Sequence, residues 1–165
     1  MQTLTLPEEA PLTMPDTTAD VQGITILLVE DDKILQELYN ERFVQAGFIV
    51  IQAFDGMQAI DKLESHPEIK LVLLDLMLPR LSGYDVLAHV KQNAETRNIP
   101  VIIVSALADV DDQARGLQLG AAEYITKGEM LPAAVIEKIK QYVLSVPRNS
   151  VQSADNDALQ RPAAE

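Results

Sequence analysis

Five short apolar runs recur along the chain, at residues 24–29, 48–54, 69–74, 101–104 and 123–126, and a segment of helical spacing follows each one. The runs at 24–29, 69–74 and 101–104 are dense in Ile, Leu and Val. That density is the mark of strands buried inside a sheet. The helical segments are read from their apolar positions: Leu35, Leu38, Tyr39 and Phe43; Gly56, Ala59, Ile60 and Leu63; Gly83, Val86, Leu87 and Val90; Val110, Ala114 and Leu117; and Val135, Ile136, Ile139 and Val143. Gly47 and Gly120 stand where helices stop, Pro67 ends the second helix, and Pro132 suits a first helical turn.

Strands alternating with helices predict an α/β fold, a parallel sheet with helices on both faces. Right-handed crossovers favour a doubly wound sandwich, and five such units commonly take the strand order 2-1-3-4-5. Residues 23–146 supply this domain. Residues 1–22, with Pro7, Pro11 and Pro15 among threonines and acids, read as a flexible arm. Residues 147–165, rich in Ser, Asn, Asp, Gln and Ala, read as a flexible tail.

The net charge of -12 sets the class of partner. It disfavours nucleic acid and anionic membrane and suits a divalent cation or a basic protein surface. The absence of cysteine removes disulfides, thiolate catalysis and Cys-ligated zinc. No apolar run has the length of a membrane span, and no basic residue precedes Lys33, so the expectation is a cytoplasmic protein without a secretory signal.

In a doubly wound sheet, ligands bind at the carboxyl ends of the strands. Here those ends carry Glu30, Asp31 and Asp32 after the first strand, Asp75 after the third, Ser105 after the fourth and Lys127 after the fifth. Taken singly, each has an ordinary role: Asp31, Asp32 and Ser105 as helix caps, Asp75 as a turn residue, Lys127 as a solvated cation. Together they place carboxylates, a hydroxyl and an ammonium around one crevice. Clustered carboxylates repel, and a divalent cation relieves them. Hard oxygen ligands favour magnesium or calcium over zinc, and magnesium, which keeps room for waters and phosphate oxygens, suits a site that also accepts a phosphoryl group.

The motifs 28–31 (LVED), 73–83 (LLDLMLPRLSG), 104–106 (VSA) and 120–127 (GAAEYITK) resemble the response-regulator receiver family, in order and at the family's spacing. The resemblance covers 23–146 and implies a flavodoxin-like fold. It implies that Asp75 accepts a phosphoryl group from a histidine kinase or histidine phosphotransfer protein. It implies magnesium held by Asp31, Asp75 and the Met77 backbone carbonyl, with Glu30 acting through water. It gives Lys127 and Ser105 to the phosphoryl oxygens and Tyr124 to an aromatic switch. The fourth helix, fifth strand and fifth helix, with Leu107, Ala108 and Val110, form the expected surface for a downstream protein. One departure stands out: Gly128 follows Lys127 where the family usually has proline.

Other functions fit less well. Haloacid-dehalogenase-like phosphatases need an acid two residues after the nucleophile, where this chain has Met77. A flavin-phosphate loop would meet the repelling acids 30–32, and no basic effector region is seen in the sequence. His66 and His89 read as surface residues. The remaining alternative is a receiver-like interaction module that works without phosphorylation.

Overall fold

The computed structural model describes residues 21–145. Most of the expected arm and tail lies outside them; Val21, assigned to the arm, is buried. The elements run β1 (Thr25–Val29), α1 (Lys33–Gln45), β2 (Ile49–Ala53), α2 (Gly56–Ser65), β3 (Ile69–Leu74), α3 (Gly83–Gln92), β4 (Val101–Ser105), α4 (Val110–Gln118), β5 (Glu123–Thr126) and α5 (Pro132–Ser145). The five strands pair in parallel in the order β2-β1-β3-β4-β5. Fold class and strand order therefore agree with the sequence.

The period of two in each strand splits the core into two layers. Leu27, Val29, Val72, Leu74, Val101 and Ile103 pack under α2 and α3, against residues such as Ala59, Leu63, Val86 and Val90. Ile26, Leu28, Leu71, Leu73, Ile102 and Val104 face Tyr39 and Phe43 of α1 and Val135 and Ile139 of α5. The two buried layers lock the register, because a slip of one residue would exchange the faces of every strand.

Two helices differ from expectation. On α1, Leu38 is 39% exposed while Gln36 is 1% exposed. The helix turns Gln36 inward because backbone carbonyls at the strand ends accept from its amide. On α4, Val110 is 77% exposed and Leu117 49%, and Ala114 is exposed too. Of this helix only Gly116 is buried, where a Cβ would come within 2.6 Å of Ile103 and 3.1 Å of Tyr124. The helix thus approaches the sheet through a residue with no side chain, and its apolar stripe faces solvent. Polar contacts help hold it: the Tyr84 hydroxyl donates to Asp112 at 2.9 Å, and Arg115 lies 4.0 Å over the Tyr84 ring.

Candidate functional site

The carboxyl ends of β1, β3 and β5 converge on one cluster. Asp75 follows β3 with its side chain nearly buried, and Glu30 follows β1 in the same state. Lys127, one residue past β5, places its Nζ 2.8 Å from Asp75 Oδ2 and 2.6 Å from Glu30 Oε2. Asp31 is exposed at the mouth, and Glu30, Asp31 and Asp75 each offer a carboxylate oxygen within 4.8 Å of the others. Three carboxylates against one ammonium leave the crevice with surplus negative charge.

The protonation of these groups follows from burial and pairing. Burial pushes the Glu30 carboxyl above its ordinary value, although the hydrogen bond and charge of Lys127 pull the other way. Burial alone would lower Lys127; its hydrogen bonds to Asp75 and Glu30, with their charges, outweigh this and hold the ammonium above its ordinary value. The Lys127 ammonium is thus shared between the Asp75 and Glu30 side chains.

Backbone geometry fixes the acids. The Asp32 N–H donates to Glu30 Oε1 at 3.2 Å, and the Met77 N–H donates to Asp75 Oδ1 at 3.2 Å. Asp32 itself caps α1, accepting from the Ile34 and Leu35 N–H groups at 2.8 and 3.1 Å, as its sequence position predicts. Gly83 opens α3 directly against the Asp75 backbone, where a Cβ would stand 2.2 Å from the Asp75 carbonyl oxygen.

Ser105 ends β4, fully buried, and its carbonyl accepts from the Lys127 N–H at 2.7 Å. The Ser105 hydroxyl accepts from the Leu107 N–H at 3.3 Å, and the Tyr124 hydroxyl donates to the Leu107 carbonyl at 2.7 Å. Leu107 is thus gripped on both sides of its peptide. Lys127–Gly128 is not a cis bond, and Gly128 has φ +91°, a left-handed conformation with open space where a Cβ would point. His66 and His89 are half-buried and lie beside Glu68 and Glu64 at 2.9 and 3.7 Å.

The sequence missed two contributors, Gln36 and Asp55, and one pairing of a residue it did name, Glu30. Gln36 hides in α1 behind the apolar pattern. Glu30 pairs directly with Lys127, a contact no spacing reveals. Asp55, buried at the N-terminus of α2, lies 3.4 Å from Arg80. Arg80 is the one non-glycine residue with positive φ among those described, and it stands in the segment between Asp75 and α3.

The family model for the response regulator receiver domain matches residues 26–140. The chain belongs to the response regulator receiver family. It is 36% identical over 135 residues to the uncharacterized transcriptional regulatory protein YcbL of Bacillus subtilis, covering 82% of this chain and 56% of that protein. It is 36% identical over 120 residues to the polar-differentiation response regulator DivK of Brucella ovis, covering 72% of this chain and 95% of DivK. The chain thus spans about half the length of several curated relatives it matches (56% for YcbL), and nearly all of DivK. Among solved structures, it resembles the receiver domain of a sensor histidine kinase from Pseudomonas aeruginosa PAO1, with a TM-score of 0.68 and 28% identity over 74% of this chain and 99% of that one. That structure has a magnesium ion coordinated in its active site cleft. The receiver domain of this chain presents an acidic cluster, Glu30, Asp31 and Asp75, at the carboxyl edge of the same kind of sheet.

Proposed function

We propose that this receiver is a phosphorylation switch whose acceptor is Asp75, fed by a histidine kinase or a histidine phosphotransfer protein in the cytoplasm and read by a downstream protein. The observation that carries the reading is the triad of Asp75, Glu30 and Lys127, with one ammonium held at 2.8 and 2.6 Å between two buried carboxylates. The Asp75 side chain is oriented by the Met77 N–H and faces a cation that can pass to an incoming phosphoryl oxygen. In the transfer, an Asp75 oxygen bonds to phosphorus as the phosphorus–nitrogen bond of the phosphohistidine breaks.

The donor set fits magnesium: hard carboxylate oxygens from Asp31 and Asp75 and a backbone carbonyl at Met77, with Glu30, held by Lys127, acting through a bound water. When bound, the ion supplies charge neutralisation for the phosphoryl oxygens. The chain's own residues do the rest. Lys127 follows the phosphoryl charge. The Ser105 hydroxyl, now an acceptor for the Leu107 N–H, turns to donate to a phosphoryl oxygen. That move releases the Leu107 N–H, so Leu107 can shift together with Tyr124, whose hydroxyl holds its carbonyl. Phosphorylation adds nearly two negative charges, and only the modified state rewards Ser105 and Lys127 with these new partners. The exposed stripe of α4 beside Leu107 is the surface such a change would present.

Magnesium titration separates this reading from a phosphorylation-independent module. Saturable binding, weakened by Asp31→Asn and by Asp75→Asn, supports the switch. Absence of binding supports the module.

A further inference from the structure

Gln36 is buried in α1, at 1% exposure. Its Nε2 lies 3.0 Å from the Ala53 carbonyl, 3.3 Å from the Glu30 carbonyl and 3.4 Å from the Leu28 carbonyl. These three oxygens belong to the carboxyl ends of β1 and β2. The Ala53 carbonyl also accepts from the Glu30 N–H at 3.1 Å, so the Glu30 backbone is held from both its sides. Meanwhile Gln36 Oε1 is the buried side-chain oxygen left without a hydrogen-bond partner among the described residues.

An orphan buried acceptor costs about 1–3 kcal/mol. A residue serving only to fill this space would do better as Leu or Met, which have no acceptor to strand. The amide is kept for its donor end. That end acts on the turn 30–32, which runs from β1 to the Asp32 cap and carries two of the three clustered carboxylates.

We propose that Gln36 is a positioning residue of the acidic crevice: its amide pins the Glu30 backbone to the end of β2 and so sets where Glu30 and Asp31 present their carboxylates. The proposal rests on the reading of the crevice as a magnesium and phosphoryl site. Outer-shell partners of this kind commonly change metal affinity by 10–100-fold when removed.

The test compares Gln36→Met, which keeps volume and loses the donor, with Gln36→Lys, which keeps a donor and has no acceptor to strand. Each is measured for magnesium affinity by titration, for the rate of phosphorylation by acetyl phosphate at saturating magnesium, and for its urea midpoint. Should Gln36→Met not fold, Gln36→Leu takes its place under the same criteria. The expected result is about a tenfold loss of magnesium affinity in Gln36→Met and recovery to within about threefold of the parent in Gln36→Lys. That recovery must appear whichever of the two variants is more stable. Parental affinity in the folded Met or Leu variant, or equal losses with Met and Lys that follow the urea midpoints, overturns the proposal. If the parent itself binds no magnesium, the underlying reading of the crevice fails, and not the role of Gln36 alone.

Discussion

Lys127 and Glu30 form the shortest ion pair of the crevice, at 2.6 Å, and Glu30 is held there although burial favours its neutral form. Lys127 is therefore the counter-charge for two buried acids at once. Replacing it by methionine leaves Glu30 and Asp75 facing each other unpaired. Removing one partner of a buried pair costs about 3–5 kcal/mol. Lys127→Met should lose stability on this scale in urea unfolding without divalent cations, and added magnesium should return part of it. An unchanged midpoint would mean that the pair carries no structural weight.

Gly83→Ala tests the close approach of α3 to Asp75. In most helices this change is favourable, because alanine is the better helix former. Here the new Cβ would meet the Asp75 carbonyl oxygen at 2.2 Å and the Leu76 Cα at 2.6 Å, both backbone atoms that cannot rotate away. The expected outcome is a loss of about 1–3 kcal/mol, as for other overpacked sites. Phosphorylation by a small donor should slow as well, because the Asp75 backbone must shift. Circular dichroism with chemical unfolding checks the first, and the phosphorylation rate checks the second.

At Gly128 the chain departs from its family, and the structure shows what replaces the family's proline. With φ +91°, the position excludes proline, whose ring fixes φ near -65°. Restoring the family residue by Gly128→Pro should therefore harm the protein, moving Lys127 and slowing phosphorylation. Gly128→Ala meets open space and should lose about 1–2 kcal/mol from the left-handed backbone alone. If Gly128→Pro phosphorylates as fast as the parent, the loop described here is not the one that acts.

Much of this was legible in the chain because burial leaves a plain mark. The run at 69–74 could be little else than an inner strand, and the polar residues after each such run had to meet at one sheet edge. What stayed hidden depended on contacts between distant residues. Apolar spacing placed Leu38 in the core, yet carbonyls at the ends of β1 and β2 accept from Gln36 and hold it inward instead. The period through Val110, Ala114 and Leu117 was real, but a stripe does not say what covers it; Gly116 sets the contact with the sheet. The acids and Lys127 were readable as a group, whereas the direct Glu30–Lys127 pair needed the folded distances.

All four tyrosines, Tyr39, Tyr84, Tyr124 and Tyr142, hold their protons above the ordinary phenol value of 10.0, with burial the leading cause, and Tyr84 is pushed up to about 12. In the unfolded chain they ionise first. The folded state then binds more protons, so stability falls as pH rises through and above 10.0. The raised Lys127 acts in the same direction, since its contribution is lost as it deprotonates, while the lowered Lys91 opposes it. Phenolate absorbance should rise at higher pH in the native protein than in urea, and urea midpoints should fall from neutral pH to about pH 11. Coincident native and unfolded titrations would contradict the burial of these hydroxyls.

The most direct test of the switch is the intact mass of the protein after incubation with acetyl phosphate and magnesium, beside an Asp75→Ala variant treated alike. The predicted result is the gain of a single phosphoryl group by the parent, abolished by chelation and absent from the variant. Equal labelling of parent and variant would place the acceptor elsewhere and contradict the role of Asp75.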